Sequence, residues 1–322
     1  MLDVDSRSEQ VSGPPARGRR WRMPWFTAAM SLLIFVGVLV LMYPSVAGWF
    51  SQYNQSLLIE DVVGADVEKG PPSRLEAEIA KAEAYNEALT GGALLSPASN
   101  VPTGQGEVEG EFDYNQLLSI NGTGTMGRLK IPSIDVDLPI YHGTSDAVLE
   151  KGVGHLQGTS LPVGGVSQHS VLTAHRGLPS ATLFDNLDKV KVGDRFTVEV
   201  FGEVLTYQVI STQVVQPDQT QPLMPQYGRD LVTLVTCTPL GINTHRILVT
   251  GERVTPTPIE DVQAAGAKPD VPGFPWWTLV IGGSFIVLTG YVVYSGRAAG
   301  KGGASGAGPT GGGDHPDVPG DA

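Results

Sequence analysis

Two long uncharged apolar segments constrain this chain more than any other feature. No charged residue occurs from Met23 to Ile59, and a second uncharged stretch runs from Val271 to Gly296. A helix needs roughly 20 apolar residues to cross a bilayer, and each stretch is long enough to supply them. The sequence therefore predicts two membrane-spanning helices with a folded region between them.

The positive charges predict how the chain is oriented. Basic residues accumulate on the cytoplasmic side of membrane helices, so the N-terminus is expected inside and residue 51 onward outside. Arg297 and Lys301 follow the second segment and predict a return to the cytoplasm. The arginines before the first segment are Arg7, Arg17, Arg19, Arg20 and Arg22.

A cleaved signal peptide is the competing interpretation of the first segment. Ser45-Val46-Ala47 has the small residues of a cleavage site. The apolar core of a signal peptide is only about 7–15 residues long, so a retained anchor is favoured.

These features divide the chain into predicted segments, and a Gly/Pro/Ala-rich composition predicts disorder in the last of them. They are a cytoplasmic N-terminus (1–22), a membrane helix (23–50), an extracellular helical arm with a possible lid or linker (51–111), a β domain (112–256), a linker (257–274), a membrane helix (275–296) and a cytoplasmic tail (297–322).

The charge and the spacing of metal-ligating residues exclude two classes of function. The formal net charge is -12, whereas nucleic-acid-binding domains usually carry a basic stripe. No Cys-x-x-Cys or His-x-x-x-His spacing surrounds Cys237, so we expect no metal site there. We predict no nucleic-acid partner, no metal and no cofactor.

The external region begins with a helix and continues as a β domain. The spacing of Ser73 and Glu76 fits a capping box, and Gly91-Gly92 ends the pattern, which predicts a helix over 72–90. From Met126 onward, short β-like segments alternate with Gly and Pro. Such a pattern is typical of a β-sandwich or a closed barrel, and the residues alone do not choose between them.

Cys237 is the only cysteine and is therefore without an internal disulfide partner. As a nucleophile its thiol would need a basic neighbour, most commonly histidine. His175 and His245 are the best placed, because each lies in a β-like segment near a turn and next to an arginine. The alternative is a purely structural role, in which Cys237 is a small buried hydrophobic residue.

The two segments around Pro239-Leu240-Gly241-Ile242-Asn243 are predicted to form a hairpin. One register places Cys237 opposite Arg246, and a slip of one residue places it opposite His245. The first register offers the thiol a fixed cation, and the second offers it a base. The residue pattern does not choose between these two registers.

Several motifs together resemble those of sortases, with the best fit to the class C, pilin-polymerising branch. The resemblance covers roughly residues 112–254. The motifs are Thr173-Ala174-His175-Arg176-Gly177, Thr236-Cys237-Thr238-Pro239, Gly241-Ile242-Asn243-Thr244-His245-Arg246, Leu138-Pro139-Ile140-Tyr141-His142-Gly143 and Gly152-Val153-Gly154-His155-Leu156.

This resemblance implies a mainly β fold, namely a closed eight-stranded barrel with short helices between the two membrane helices. It also implies that Cys237 is the nucleophile, His175 the general acid/base, and Arg246 the residue that holds the substrate and its oxyanion. Thr236 and Thr238 flank the nucleophile and are candidate substrate contacts.

The implied reaction is transpeptidation at a Leu-Pro-X-Thr-Gly-like sorting signal on a pilin or surface protein. A thioacyl enzyme would be resolved by a lysine amine of a pilin, or by water as a peptidase side reaction. One alternative is a sortase that attaches surface proteins to peptidoglycan amines. An alternative of another class is a non-catalytic surface scaffold.

The chain departs from the class C pattern in one respect. These enzymes usually carry a lid with an Asp-Pro-aromatic anchor, and no such tripeptide precedes the core. Residues 96–111 are therefore either a lid or a plain linker, and the missing anchor weakens the pilin-specific assignment.

Overall fold

The computed structural model describes residues 21, 23–68, 72–90, 107–108, 112–119, 124–269 and 271–299. The predicted tails, 1–22 and 297–322, lie almost entirely outside these residues, and so does most of the possible lid, 96–111. The helices are α1 (Trp25–Glu68), α2 (Pro72–Ala88), α3 (Asp146–Leu149), α4 (Ile259–Ala264) and α5 (Trp277–Ala299). The strands are β1 (Leu89–Thr90), β2 (Glu107–Val108), β3 (Thr125–Ile131), β4 (Val136–His142), β5 (Val153–His155), β6 (Gln168–Thr173), β7 (Arg195–Val200), β8 (Glu203–Val215), β9 (Asp230–Thr238) and β10 (His245–Arg253).

The chain forms two compact units. The first comprises residues up to Met42 together with those from Trp276 onward. Among the described residues, two helical stretches are long and apolar enough to cross a membrane by length and composition. They are Trp25–Glu60 of α1, which begins in this unit and continues past Met42, and Trp277–Arg297 of α5. α1 extends beyond the predicted membrane segment 23–50, because it continues without a break to Glu68.

The second unit, Tyr43–Pro275, contains a closed β-barrel. Its strands follow the order β10-β8-β7-β3-β4-β5-β6-β9, and β9 pairs with β10 to close the ring. The β4–β5 and β6–β9 pairs are parallel, and the other pairs are antiparallel. This confirms the predicted eight-stranded barrel and excludes the sandwich. Closure also removes free sheet edges within the barrel.

Strand β9 is covered on both faces. Val232 and Leu234 belong to the main core inside the barrel, whereas Val235 packs in a second apolar cluster with Val171 and Leu248. Because side chains alternate along a strand, Cys237 points to the same side as Val235. The candidate nucleophile therefore lies on a strand that packing holds in place from two sides.

Two other segments are fixed to the barrel by buried polar contacts. Asn86 of α2 donates to the carbonyl of Leu161 at 3.1 Å and accepts from its N–H at 2.6 Å. After β10, the region predicted as a linker contains α4, and Arg128 donates to the carbonyl of Ala267 at 2.7 Å. Arg128 also forms a bidentate pair with Asp137, both bonds being 2.6 Å long. Both segments therefore pack as parts of the barrel domain.

Candidate active site

The β9–β10 hairpin decides the register that the sequence left open. Cys237 pairs with Arg246, and Thr238 pairs with His245. The connecting turn is stabilised by Asn243, whose N–H donates to the carbonyl of Pro239 at 2.9 Å. The hairpin therefore places a guanidinium-bearing residue, not an imidazole, directly opposite the thiol.

His175 approaches the same place from the other side of β9. Strand β6 runs parallel to β9, and its last pair is Thr173 with Val235. Beyond it, the N–H of Ala174 donates to the carbonyl of Val235 at 3.2 Å. Continuing this register by two residues brings His175 level with Cys237. Parallel strands end at the same edge of a sheet, so the two residues belong to one end of the barrel.

Arg246 is a buried cation that the turn holds in position. Its exposed fraction is 3%. Its Nη1 donates to the carbonyl of Asn243 at 2.9 Å and to the carbonyl of His245 at 3.1 Å. A guanidinium stays charged and presents several donors in a rigid fork, which suits it to stabilise negative charge nearby.

Burial favours the neutral forms of both the thiol and the imidazole. Cys237 is 8% exposed, and burial raises its pKa, while the positive charge of Arg246 acts to lower it. Burial lowers the pKa of His175, while the carboxylates of Asp146 and Glu150 act to raise it. Arg246 therefore favours the thiolate, and the two carboxylates favour the imidazolium.

The two threonines that flank Cys237 have different surroundings. Thr236 is buried, and its hydroxyl donates to the carbonyl of Ala174 at 2.8 Å, a contact that joins β9 to β6. Thr238 is partly exposed and accepts a hydrogen bond from Arg176 at 3.1 Å. Thr238 is therefore the more accessible of the two candidate substrate contacts.

The other histidines of the domain have backbone or side-chain partners of their own. His245 directly precedes Arg246, the residue that pairs with Cys237, and its Nδ1 is 2.9 Å from the hydroxyl of Thr244. His155 is fully buried between Tyr114 and Ser160, and burial lowers its pKa to about 4. The remaining two, His142 and His169, contact backbone carbonyls through their ring nitrogens.

Three residues near the site were not singled out from the sequence, namely Arg176, Asp146 and Glu150. Arg176 directly follows His175 in the motif, which was a signal that a second functional arginine was present. Asp146 and Glu150 lie on or beside α3, remote in sequence from the site, and only the fold brings their charge to His175. Within the described part of the chain, no group of three His, Cys, Asp or Glu residues is arranged to hold a metal ion.

Comparisons with known proteins agree with the barrel fold. A family model described as Sortase domain matches residues 129–254. The crystal structure of sortase C-1 from Actinomyces oris is 50% identical, with a TM-score of 0.52, over 57% of this chain and 99% of that chain. The pilus-related sortase C of Group B Streptococcus is 40% identical, with a TM-score of 0.54, over 61% of this chain and 96% of that chain.

A curated relative matches over a smaller part of its length. Sortase D of Bacillus subtilis (strain 168) is 33% identical over 132 residues, which are 40% of this chain and 64% of the relative. The chain thus spans just under two thirds of this curated relative.

Proposed function

Because the chain belongs to the sortase family, we propose that it is a membrane-anchored cysteine transpeptidase. The observation that carries the proposal is the pairing of Cys237 with Arg246 across the β9–β10 hairpin, with His175 level with Cys237 on the other side. A thiol, a guanidinium and an imidazole are thereby brought to one end of the barrel. They are the groups that acyl transfer through a covalent intermediate requires.

In the proposed first step, Cys237 attacks the threonine carbonyl of a Leu-Pro-X-Thr-Gly-like sorting signal. The carbonyl oxygen becomes an oxyanion, and Arg246 stabilises it through a charge-assisted hydrogen bond. His175 takes the thiol proton as Cys237 attacks and then gives it to the leaving amine, which departs with the C-terminal segment. The remaining acyl group is bound to the sulfur of Cys237 as a thioester.

In the second step, an amine attacks the thioester and forms a new amide bond while the C–S bond breaks. His175 accepts a proton of the amine and returns it to the departing thiolate of Cys237. We propose a pilin lysine as this amine, which makes the product an isopeptide bond and the process pilus assembly. The names of the solved relatives support this acceptor, since one is a pilus-related sortase C. A peptidoglycan amine is the alternative acceptor. The missing Asp-Pro-aromatic anchor favours this alternative, because class C sortases usually carry that anchor.

The two apolar helices support a two-pass topology. We propose that the segments around Trp25–Glu60 and Trp277–Arg297 both cross the cell membrane, with the barrel on the extracellular side. The arginines before the first helix and Arg297 after the second agree with cytoplasmic ends. This places Cys237 where exported proteins carrying sorting signals are found.

The test uses the full-length chain in detergent or nanodiscs. It is incubated with a Leu-Pro-X-Thr-Gly peptide, and the intact mass of the protein is measured before and after addition of an amine. We expect a thioester adduct on Cys237 that the amine discharges. Cys237→Ala is the control, and it should remain folded but form no adduct.

The outcomes separate the competing functions. A well-folded wild-type chain that forms no adduct with any sorting peptide, and whose Cys237 alkylates no faster than a free thiol, supports the non-catalytic scaffold. Adduct formation followed by transfer to a pilin lysine, giving pilin ladders in cells, supports pilus assembly. Transfer only to peptidoglycan-type amines supports surface-protein anchoring instead.

A further inference from the structure

His175 and Cys237 are carried by separate segments, and side chains connect these segments beyond the end of the β6–β9 pairing. Arg176 follows His175, and Thr238 follows Cys237. Nη1 of Arg176 donates to Oγ1 of Thr238 at 3.1 Å. One hydrogen bond thus joins the residue after the candidate base to the residue after the candidate nucleophile.

Arg176 makes two further contacts, both on its own side of the site. Its Nε donates to the carbonyl of Asp185 at 3.0 Å, and its Nη2 lies 2.8 Å from Oδ2 of Asp188. The side chain is only 9% exposed. Three nitrogens of one planar group therefore each have a different partner, an arrangement that a lysine cannot reproduce.

The loop after His175 is itself closed by backbone contacts. The N–H of Phe184 donates to the carbonyl of His175 at 3.1 Å, and the N–H of Gly177 donates to the carboxylate of Asp185 at 2.5 Å. Arg176 therefore connects Thr238 to a loop that already holds the backbone of His175. We call the set of contacts from Arg176 to Thr238, Asp185 and Asp188 the Arg176 bridge.

A second contact joins the same two segments. Gly177 has a φ of +80°, and a Cβ placed on it would lie 2.6 Å from Cδ2 of Leu240. Leu240 belongs to the turn between β9 and β10, so this turn packs directly on the residue after Arg176. The left-handed backbone favours glycine here, and a side chain would also require Leu240 to shift.

Resting on the proposed function, we propose that Arg176 is a positioning residue for the acyl-transfer reaction. The Arg176 bridge fixes the imidazole of His175 relative to the thiol of Cys237 by tying together the residues that follow them. The proposed oxyanion donor remains Arg246, and the bridge commits one donor on each Arg176 nitrogen to Thr238, Asp185 and Asp188. Its contribution is to the rate of the chemical step and not to the affinity for the substrate.

The first experiment measures steady-state peptide cleavage by the full-length chain and three variants, Arg176→Ala, Arg176→Lys and Thr238→Val. Small misplacements of catalytic groups lower rates by up to about 100-fold, so we expect kcat to fall about 10- to 100-fold for the Arg176 variants. KM of the two Arg176 variants should stay within about threefold, because substrate binding is not the affected step. Arg195→Ala, which removes an exposed arginine at the start of β7, is the matched control and should cleave normally.

A double-mutant cycle tests whether Arg176 acts through Thr238. Thr238→Val keeps the shape of the side chain and removes only the acceptor. If the bridge is one unit, the combined Arg176→Ala and Thr238→Val variant should be about as slow as Arg176→Ala alone. Independent effects that multiply, or wild-type kcat in both single variants, would overturn the proposal.

The second experiment needs no substrate. The rate of Cys237 alkylation by iodoacetamide is measured as a function of pH. Ionisation of a neighbouring imidazole adds an inflection to this profile, and His175→Ala should remove that inflection. The inflection should weaken in both Arg176→Ala and Thr238→Val. The thermal stability of Thr238→Val should be unchanged. If the wild type shows the inflection but forms no thioester, the proposed function fails and the bridge stands. If the wild type shows no inflection, or the variants keep it in full, the bridge is refuted.

Discussion

Cys237 and Arg246 lie directly opposite each other on β9 and β10, and Arg246 is buried there with an exposed fraction of 3%. A cation in such a place must be satisfied, and the carbonyls of Asn243 and His245 each accept a hydrogen bond from its Nη1. The hairpin turn thus holds the guanidinium beside the thiol before any substrate arrives. The charge is preorganised, which is what makes stabilisation of an oxyanion effective.

Arg246→Lys is expected to lower kcat for peptide cleavage about 10²- to 10³-fold, although the charge is kept. The ammonium is a point charge without the planar fork, and loss of one oxyanion donor commonly has an effect of that size. Steady-state kinetics of the full-length chain measures it. Near-normal rates would show that Arg246 does not contact the oxyanion.

Asn243 is expected to tolerate glycine and not valine. Its φ is 59°, a left-handed backbone that Asn and Gly adopt readily and β-branched residues do not. Its Oδ1 is buried without a hydrogen bond in the described part of the chain, so glycine removes no bond. Asn243→Gly should keep kcat within a few-fold, whereas Asn243→Val should displace the carbonyl that holds Arg246 and lower kcat about 10-fold or more. Equal rates for the two variants would contradict this role of the turn.

The carboxylates of Asp146 and Glu150 are expected to influence the pH profile. Both act to raise the pKa of His175, because negative charge favours the imidazolium. Asp146→Asn and Glu150→Gln should therefore shift the limb of the kcat profile that reports His175 to lower pH. The shift should shrink in high salt, because both side chains are exposed and screened. Asp218→Asn, on the loop after β8, should leave the profile unchanged.

The free energy of unfolding is expected to fall as the pH is lowered, because of His155. Burial lowers its pKa from 6.5 to about 4, so the folded state keeps it neutral. Below pH 6.5 the unfolded chain binds a proton that the folded chain does not, and stability is lost as the pH falls towards 4. The full effect is roughly 3 kcal/mol, at 1.36 kcal/mol per pKa unit.

Thermal unfolding of the full-length chain between pH 7.5 and pH 4.5 measures this loss. His155→Gln should be less stable than the wild type at pH 7.5. Its stability should fall less than that of the wild type between pH 7.5 and pH 4.5. His169 contributes in the same direction, since burial lowers its pKa as well, so some slope remains. An unchanged slope in His155→Gln would refute the assignment.

Much of the fold was predictable because its signals are local. The helix predicted over 72–90 is observed as Pro72–Ala88, and the segment before Pro239, predicted as one strand of a hairpin, is observed as β9, Asp230–Thr238. Helical patterns and runs of β-branched side chains are properties of a few contiguous residues, so the pattern alone is sufficient. The predicted cap was misplaced, since the helix begins at Pro72 and includes Ser73. Strand β5 was not predicted from its residues. Gly154 lies at its centre, where a Cβ would lie 2.4 Å from the carbonyl oxygen of Gly143, and glycine is a weak strand former.

By itself, the sequence determined the two apolar helices, most of the strands and the cysteine on which the proposed chemistry depends, because length, charge and side-chain periodicity are properties of contiguous residues. Residue patterns alone left open the choice between a sandwich and a barrel and between Arg246 and His245 as the partner of Cys237. The family resemblance implied the barrel and Arg246, and the tertiary structure shows the barrel and the pairing. It also joined Arg176 to Thr238 and brought Asp146 and Glu150 to His175. These contacts join residues far apart along the chain or depend on strand register, and a one-residue slip would turn every side chain to the opposite face.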